Sequence, residues 1–170
     1  MGFWQKLLQG RYIRLPIHPI VVHFPIALFT TALIFDLISF FDAGTPFAIA
    51  AYYTIWAGVI SGIIAIFFGF VEYLYETPPG SDVFWTATSH AIISVAAETI
   101  FIINLALRFN NIIAPTRTLA VILSIIGVGL MFLANTLGSY MVFRHGVRVM
   151  NIHDHESQAN EWQKKKDTAA

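Results

Sequence analysis

Four long apolar blocks constrain the fold of this chain more than any other feature of its sequence. Each is longer than the roughly 20 residues that an α-helix needs to cross a hydrocarbon core of about 30 Å. They predict membrane spans at residues 19–41, 47–73, 83–107 and 118–143. We therefore predict an all-α integral membrane protein, a four-helix up-down bundle whose first partner is the lipid bilayer.

The segments around the blocks divide the chain into three parts. Residues 1–17 form an N-terminal segment, residues 18–148 the four-helix domain and residues 149–170 a polar tail. The N-terminal segment is basic but shows no convincing cleavage site, so the first span is expected to stay uncleaved. No internal sequence repeat is evident.

Basic residues in the flanks predict the orientation, because Lys and Arg resist translocation. Eight of the ten lie in the N-terminal flank, the second loop and the tail taken together, and only Arg108 and Arg117 lie on the other side. Both termini are therefore expected in the cytoplasm.

Composition removes several classes of function. Ten basic and ten acidic residues give a net charge of zero, which provides no electrostatic footprint for a nucleic acid. The chain has no cysteine, so any metal must be bound by histidines and carboxylates. We expect no soluble-type enzyme either, because no hydrolase or nucleotide-binding motif is present.

Ionisable residues inside the spans are the candidate functional residues, because polar groups are costly in hydrocarbon. In an up-down bundle they all fall in the cytoplasmic leaflet. They are His18, His23, Glu72, His90 and His145.

Imidazoles from facing helices can ligate haem iron on its two axial faces. His23 and His90 are the predicted metal ligands, because both lie about one to two turns inside the hydrocarbon edge. His18 and His145 lie at helix ends and are expected to orient ligands or propionates. Arg144 is expected to hold a propionate carboxylate.

Four further residues have predicted supporting roles. Arg148 shares a helix face with Arg144 and is a second propionate candidate. Glu72 is expected to accept a hydrogen bond from a ligating imidazole. Asp36 and Glu98 either form a proton path or pair across helices. The histidines themselves are equally consistent with interhelical hydrogen bonding.

The opening of the first span, IHPIVVHFPIAL at residues 17–28, resembles the hallmark of a bacterial membrane family known as domain of unknown function 2231. The resemblance continues through Gly69 with Glu72, His90, and the segment from Leu137 to Gly146, and covers about residues 15–149. It implies a multi-pass protein of the bacterial inner membrane. The layout is also similar to small haem b four-helix cytochromes, which is an analogy of fold.

These observations lead to a functional prediction with alternatives. We predict an electron-transfer subunit that binds a single bis-histidine haem b near the cytoplasmic face and has no independent catalytic activity. No histidine lies in the outer half, so no transmembrane chain of haems is expected. The first alternative is an accessory subunit of a larger respiratory or photosynthetic complex, in contact with other membrane subunits and with quinone or pigment. The second is a non-haem metal or proton site.

Overall fold

The computed structural model describes residues 16–42, 45–110 and 118–147, together with Phe3 and Leu7. Its described part is helical. The helices are α1 (Ile17–Val21), α2 (His23–Asp42), α3 (Thr45–Glu76), α4 (Asp82–Arg108) and α5 (Thr118–His145). Since α1 and α2 form one span, the described residues contain four segments long and apolar enough to cross a membrane, which confirms the predicted fold. The tail, including Arg148, lies outside the described residues.

The four spans form a closed ring in which each packs against two neighbours. Helices α2 and α4 each contact α3 and α5, and α1 rests on α3. Large apolar side chains such as Ile63, Phe67 and Ile92 point outward, as expected for helices that face lipid. We call the end of the bundle that contains residues 17–23, 69–90 and 138–147 the histidine end.

The first span is broken at Val22, between α1 and α2. Pro25 has no amide hydrogen, so the carbonyl of Val21 lacks its usual helical donor. The next helical bond, from the amide of Ile26 to the carbonyl of Val22, is long at 3.4 Å. The break therefore lies where proline was expected to bend the helix, and it separates His18 from His23.

The helix ends at the histidine end follow from local sequence. Helix α3 continues three residues past the predicted limit at Tyr73, because no helix breaker occurs before Pro78. Ser81 then caps α4 by accepting a hydrogen bond from the amide of Phe84 at 3.1 Å. Gly146, with φ +65°, ends α5 in the left-handed conformation that glycine tolerates.

Two stacked phenylalanines form the middle of the core. The rings of Phe29 and Phe101 lie 3.7 Å apart, with an interplanar angle of 2°. Each ring lies over a glycine of the neighbouring span: a Cβ on Gly58 would lie 2.7 Å from Cδ1 of Phe29, and one on Gly127 would lie 2.7 Å from Cε2 of Phe101. The two glycines therefore let four helices approach around one aromatic pair.

A buried polar network closes the end opposite the histidines. Asp36 pairs with Arg108, whose Nη2 donates to Asp36 Oδ2 at 2.8 Å. Ser124 donates to the same carboxylate at 2.6 Å, and Asn104 donates to Ser124 at 2.8 Å. Of the two roles open to Asp36, the structure supports pairing across helices. The network joins the first, third and fourth spans.

Candidate functional site

His18 lies at the start of the first span, and its ring is held by the second. Its Nδ1–H donates to the carbonyl of Ala65 in α3 at 2.8 Å. In an α-helix that carbonyl also accepts the amide of Gly69, one turn further on. A Cβ on Gly69 would lie 2.8 Å from Cε1 of the His18 ring. The missing side chain at position 69 therefore gives the imidazole access to the carbonyl.

His90 is held in the same way by the fourth span. Its Nδ1–H donates to the carbonyl of Ala134 in α5 at 2.8 Å. Gly138 again follows the accepting residue by four positions, and a Cβ there would lie 3.4 Å from Cε1 of the His90 ring. Because both rings donate through Nδ1, each keeps Nε2 as the nitrogen available to a ligand.

The rings of His18 and His90 face each other across the bundle. Their centroids lie 6.3 Å apart, and their planes cross at 83°. Two imidazoles on one metal ion, with collinear bonds of about 2 Å and each ligating nitrogen about 1.15 Å from its ring centre, have centroids about 6.3 Å apart. The distance between the two ring centroids therefore matches that of two imidazoles on one metal ion.

Each histidine ring is held by the carbonyl of an alanine that lies four residues before a glycine. The two arrangements are equivalent, because the chain contains an internal two-fold repeat. Residues of the first span correspond to residues of the third at a constant offset of 72 positions: His18 to His90, Phe29 to Phe101 and Asp36 to Arg108. Residues of the second span correspond to residues of the fourth at an offset of 69: Gly58 to Gly127, Ala65 to Ala134 and Gly69 to Gly138. The expectation that the chain has no repeat was wrong.

His23, predicted to pair with His90, lies elsewhere. Its side chain is exposed, and it contributes to neither cavity beside the ring pair. His23 follows His18 by five residues, which corresponds to a rotation of about 140° around a helix axis. The side chains of His18 and His23 therefore cannot both point into the bundle. The structure therefore brings His18, and not His23, to His90.

The remaining predicted residues cluster around the histidine end in different roles. Glu72 lines the larger cavity described below, but the Nδ1 acceptors of both rings are backbone carbonyls rather than its carboxylate. The ring of His145 packs edge-on against Tyr140, with centroids 5.3 Å apart, and its buried Nε2 has no hydrogen-bond partner among the described residues. Arg144 is exposed.

A larger cavity lies beside the ring pair between α3 and α4. It has a volume of about 320 Å³, and both histidines, Gly69 and Ser94 contribute to its wall. Phe70 and Ile92, which also line it, are largely exposed on the outside of the bundle. The cavity therefore opens sideways, toward the region that lipid occupies.

A smaller cavity of about 60 Å³ lies deeper in the bundle, on the other side of the ring pair. Both histidines and Ser94 line it too, together with Glu98 and Asn135. The two rings and Ser94 therefore line both cavities, and Glu98 lines only the smaller one.

The two alanine–glycine supports are functional features that the sequence analysis missed. Their signal is the pattern Ala-x-x-x-Gly, which occurs as AIFFG in the second span and as ANTLG in the fourth. No group of three or more histidine, aspartate or glutamate side chains that could hold a metal ion occurs among the described residues.

Comparison with known proteins identifies a family for this chain but no activity. A family model described as "Predicted membrane protein (DUF2231)" matches residues 14–151. No curated protein matches the chain, and no solved structure does.

Proposed function

Since this chain belongs to the DUF2231 family of predicted membrane proteins, whose description names no activity, we propose from its own geometry that it binds one haem b between His18 and His90. The 6.3 Å spacing of the two rings is the observation that carries the proposal. It revises the ligand pair expected from the sequence, with His18 replacing His23.

The hydrogen bonds from the two histidine rings to backbone carbonyls are of the kind that orients metal-binding histidines. A metal-bound histidine is normally oriented by a hydrogen bond from its other ring nitrogen to a carbonyl or carboxylate. The carbonyls of Ala65 and Ala134 supply that bond here, each at 2.8 Å. They fix the tautomer and make Nε2 a stronger donor to iron.

Bound haem supplies one-electron redox chemistry. The chain's own residues would set the conditions for it. His18 and His90 would hold the group through their two Nε2 atoms, and its chemistry there would be electron transfer. Apolar side chains around the rings keep water away, and Arg144, exposed at the same end, is our candidate for contacting a propionate.

Location follows from the same proposal. The distribution of basic residues predicts that both termini are cytoplasmic, so the histidine end and the haem would face the cytoplasmic side of a bacterial inner membrane. Within the described residues Arg108 is buried against Asp36, which leaves fewer free basic groups at the opposite end and supports the orientation. The protein would act as an electron-transfer subunit that meets its redox partners on the cytoplasmic side.

Absorption spectroscopy tests the proposal. The protein purified from haem-supplied cells should show a Soret band and a pyridine haemochrome of b type, with about one haem per chain. His18→Ala and His90→Ala should each lose the low-spin spectrum, whereas the exposed His23→Ala should keep it. Absence of any Soret band would end the proposal. Loss of haem in both His23→Ala and His90→Ala, with haem retained in His18→Ala, would restore the ligand pair expected from the sequence.

The larger cavity favours a second candidate function, the binding of a lipid-soluble ring compound such as a quinone or a chlorin pigment. Its volume of about 320 Å³ lies within the range of small-ligand sites, and its opening faces the bilayer. In this case the chain would be an accessory subunit of a larger membrane complex. Solvent extraction of the purified protein followed by mass spectrometry would distinguish a quinone or pigment from haem.

A further inference from the structure

Glu98 is a buried carboxyl group that the proposed haem ligation does not use. It is 7% exposed, and its Oε1 has no hydrogen-bond partner among the described residues. A carboxylate buried in a membrane bundle without a partner is costly. Such a residue is a candidate for a role beyond packing.

Space for this carboxyl group is made by the facing helix. The position that a Cβ on Gly62 would occupy is taken by the carboxyl of Glu98. The group therefore fills a gap left by a missing side chain and does not fold back toward its own helix. The repeat offers no equivalent, because Glu98 corresponds to Ile26 and Gly62 to Met131. Glu98 thus breaks the two-fold pattern close to its centre.

Glu98 lies on the same face of α4 as His90. Positions 90, 94 and 98 are spaced by four residues, so Ser94 lies between the two. The axial distance from His90 to Glu98 is about 12 Å, which separates the carboxyl from the ligating ring. Both side chains line the smaller cavity.

Few other ionisable groups face this carboxyl. The cavity that it lines receives His18 from α1 and His90 from its own helix. Helix α2 contributes only Pro25, Ile26 and Phe29, and α3 contributes only Gly62, Ala65 and Ile66. From α5 come Met131, Ala134 and Asn135. Apart from the two proposed ligands, Glu98 is the one titratable group that the described residues contribute to this space.

We propose that Glu98 is a redox-linked proton site, which takes up a proton when the site between His18 and His90 is reduced and releases it on oxidation. The inference rests on the proposed haem function. One electron enters from a one-electron donor, a redox mediator in the experiment below, and one proton from water adds to the Glu98 carboxylate. The net charge of the buried site is then unchanged, which avoids the large cost of adding a charge in low dielectric.

A route for the proton is visible in the two cavities. Ser94 lines both of them, and the larger one extends to Glu76 and Thr77 near the end of α3. Ser94 can donate and accept hydrogen bonds. Ser94 can therefore pass a proton between the Glu98 cavity and the larger cavity, which reaches the histidine end.

Potentiometric titration of the haem-loaded protein at several pH values tests the proposal. With one proton per electron, the midpoint potential of the wild type should fall by about 59 mV for each tenfold decrease in proton concentration. Glu98→Gln keeps the shape of the side chain but cannot bind the proton, so its potential should be nearly independent of pH. Asp82→Asn, which removes an exposed carboxylate of the same helix, should keep the wild-type slope.

Each other outcome has a distinct meaning. A haem-loaded wild type with a flat slope overturns the Glu98 proposal and leaves haem binding intact. A sloping Glu98→Gln variant assigns the proton to another group and also overturns it. Failure of the wild type to bind haem rejects the proposed function instead.

Infrared difference spectroscopy of the wild type covers the case in which Glu98→Gln does not fold. The reduced-minus-oxidised spectrum should show the carbonyl stretch of a newly protonated carboxylic acid. If no such band appears in haem-loaded protein, the proposal fails.

Discussion

Asp36 and Arg108 occupy equivalent positions in the two halves of the chain and form an ion pair with each other across the repeat. Asp36 is fully buried and the Arg108 side chain is 10% exposed. Opposite charges there favour the pairing of two unlike hairpins.

Arg108→Leu should strongly destabilise the bundle, because it leaves the Asp36 carboxylate buried without its cation. Removing one partner of a buried pair costs about 3–5 kcal/mol. The double variant Asp36→Leu/Arg108→Leu should lose less stability than the single variant, since neither charge remains. Thermal unfolding in detergent, followed by circular dichroism, measures both, with the exposed Arg144→Leu as the control. A double variant as unstable as Arg108→Leu would contradict this account.

Gly69→Ala and Gly138→Ala should both weaken haem binding, because the added methyl group pushes against a histidine ring. The effect should be larger at position 69, where the Cβ would lie 2.8 Å from the ring, than at position 138, where it would lie 3.4 Å away. Gly129→Ala is the matched control, since nothing lies within 4 Å of its Cβ. That change should instead stabilise α5 by about 0.5–1 kcal/mol.

Haem titration of the purified apoprotein gives the dissociation constants for this comparison. Equal affinities in the position 69 variant and the control would show that the glycine does not support the ring.

The crossed ring planes predict the electron paramagnetic resonance spectrum of the oxidised protein. If haem binds as proposed, two imidazole planes crossed at 83° would each donate π density to a different iron d orbital, and the two orbitals would stay close in energy. We expect a strongly anisotropic low-spin ferric signal with a large maximum g value. A rhombic spectrum typical of parallel imidazole planes would mean that the rings rotate on binding haem.

The orientation can be tested with single cysteines, because the natural chain contains none. Pro79→Cys lies in the exposed loop at the histidine end, and Asn110→Cys is exposed at the other end. In intact bacterial spheroplasts, a membrane-impermeant maleimide should label position 110 and reach position 79 only after the membrane is opened. The reverse pattern would place the termini outside.

The sequence predicted the four spans and the layer of histidines, because hydrophobic length and intramembrane charge are local signals. It favoured His23 over His18 as the partner of His90, whereas the structure brings His18 to His90. That choice depends on the break at Val22 and on a glycine, Gly69, some fifty positions away in the chain. The helical phase of residues within a single span predicts neither the break nor the position of the distant glycine.

The repeat escaped notice for a different reason. Its first and third spans align at an offset of 72 and its second and fourth at 69, so no single offset aligns both. The residues that match, such as His18 with His90 and Gly58 with Gly127, are mostly those whose size or hydrogen bonding is needed for packing between neighbouring spans. Lipid-facing positions are free to vary as long as they remain apolar.

The stacked Phe29 and Phe101 rings and the Asp36–Arg108 pair also have an electrical consequence. They fill the bundle between the Glu98 cavity and the opposite end, so under the proposed function the site would exchange its electron and proton at the histidine end alone. An electron and a proton that enter and leave by that same surface move no net charge across the bilayer. Turnover of this protein on its own should therefore be electroneutral and should leave the membrane potential unchanged.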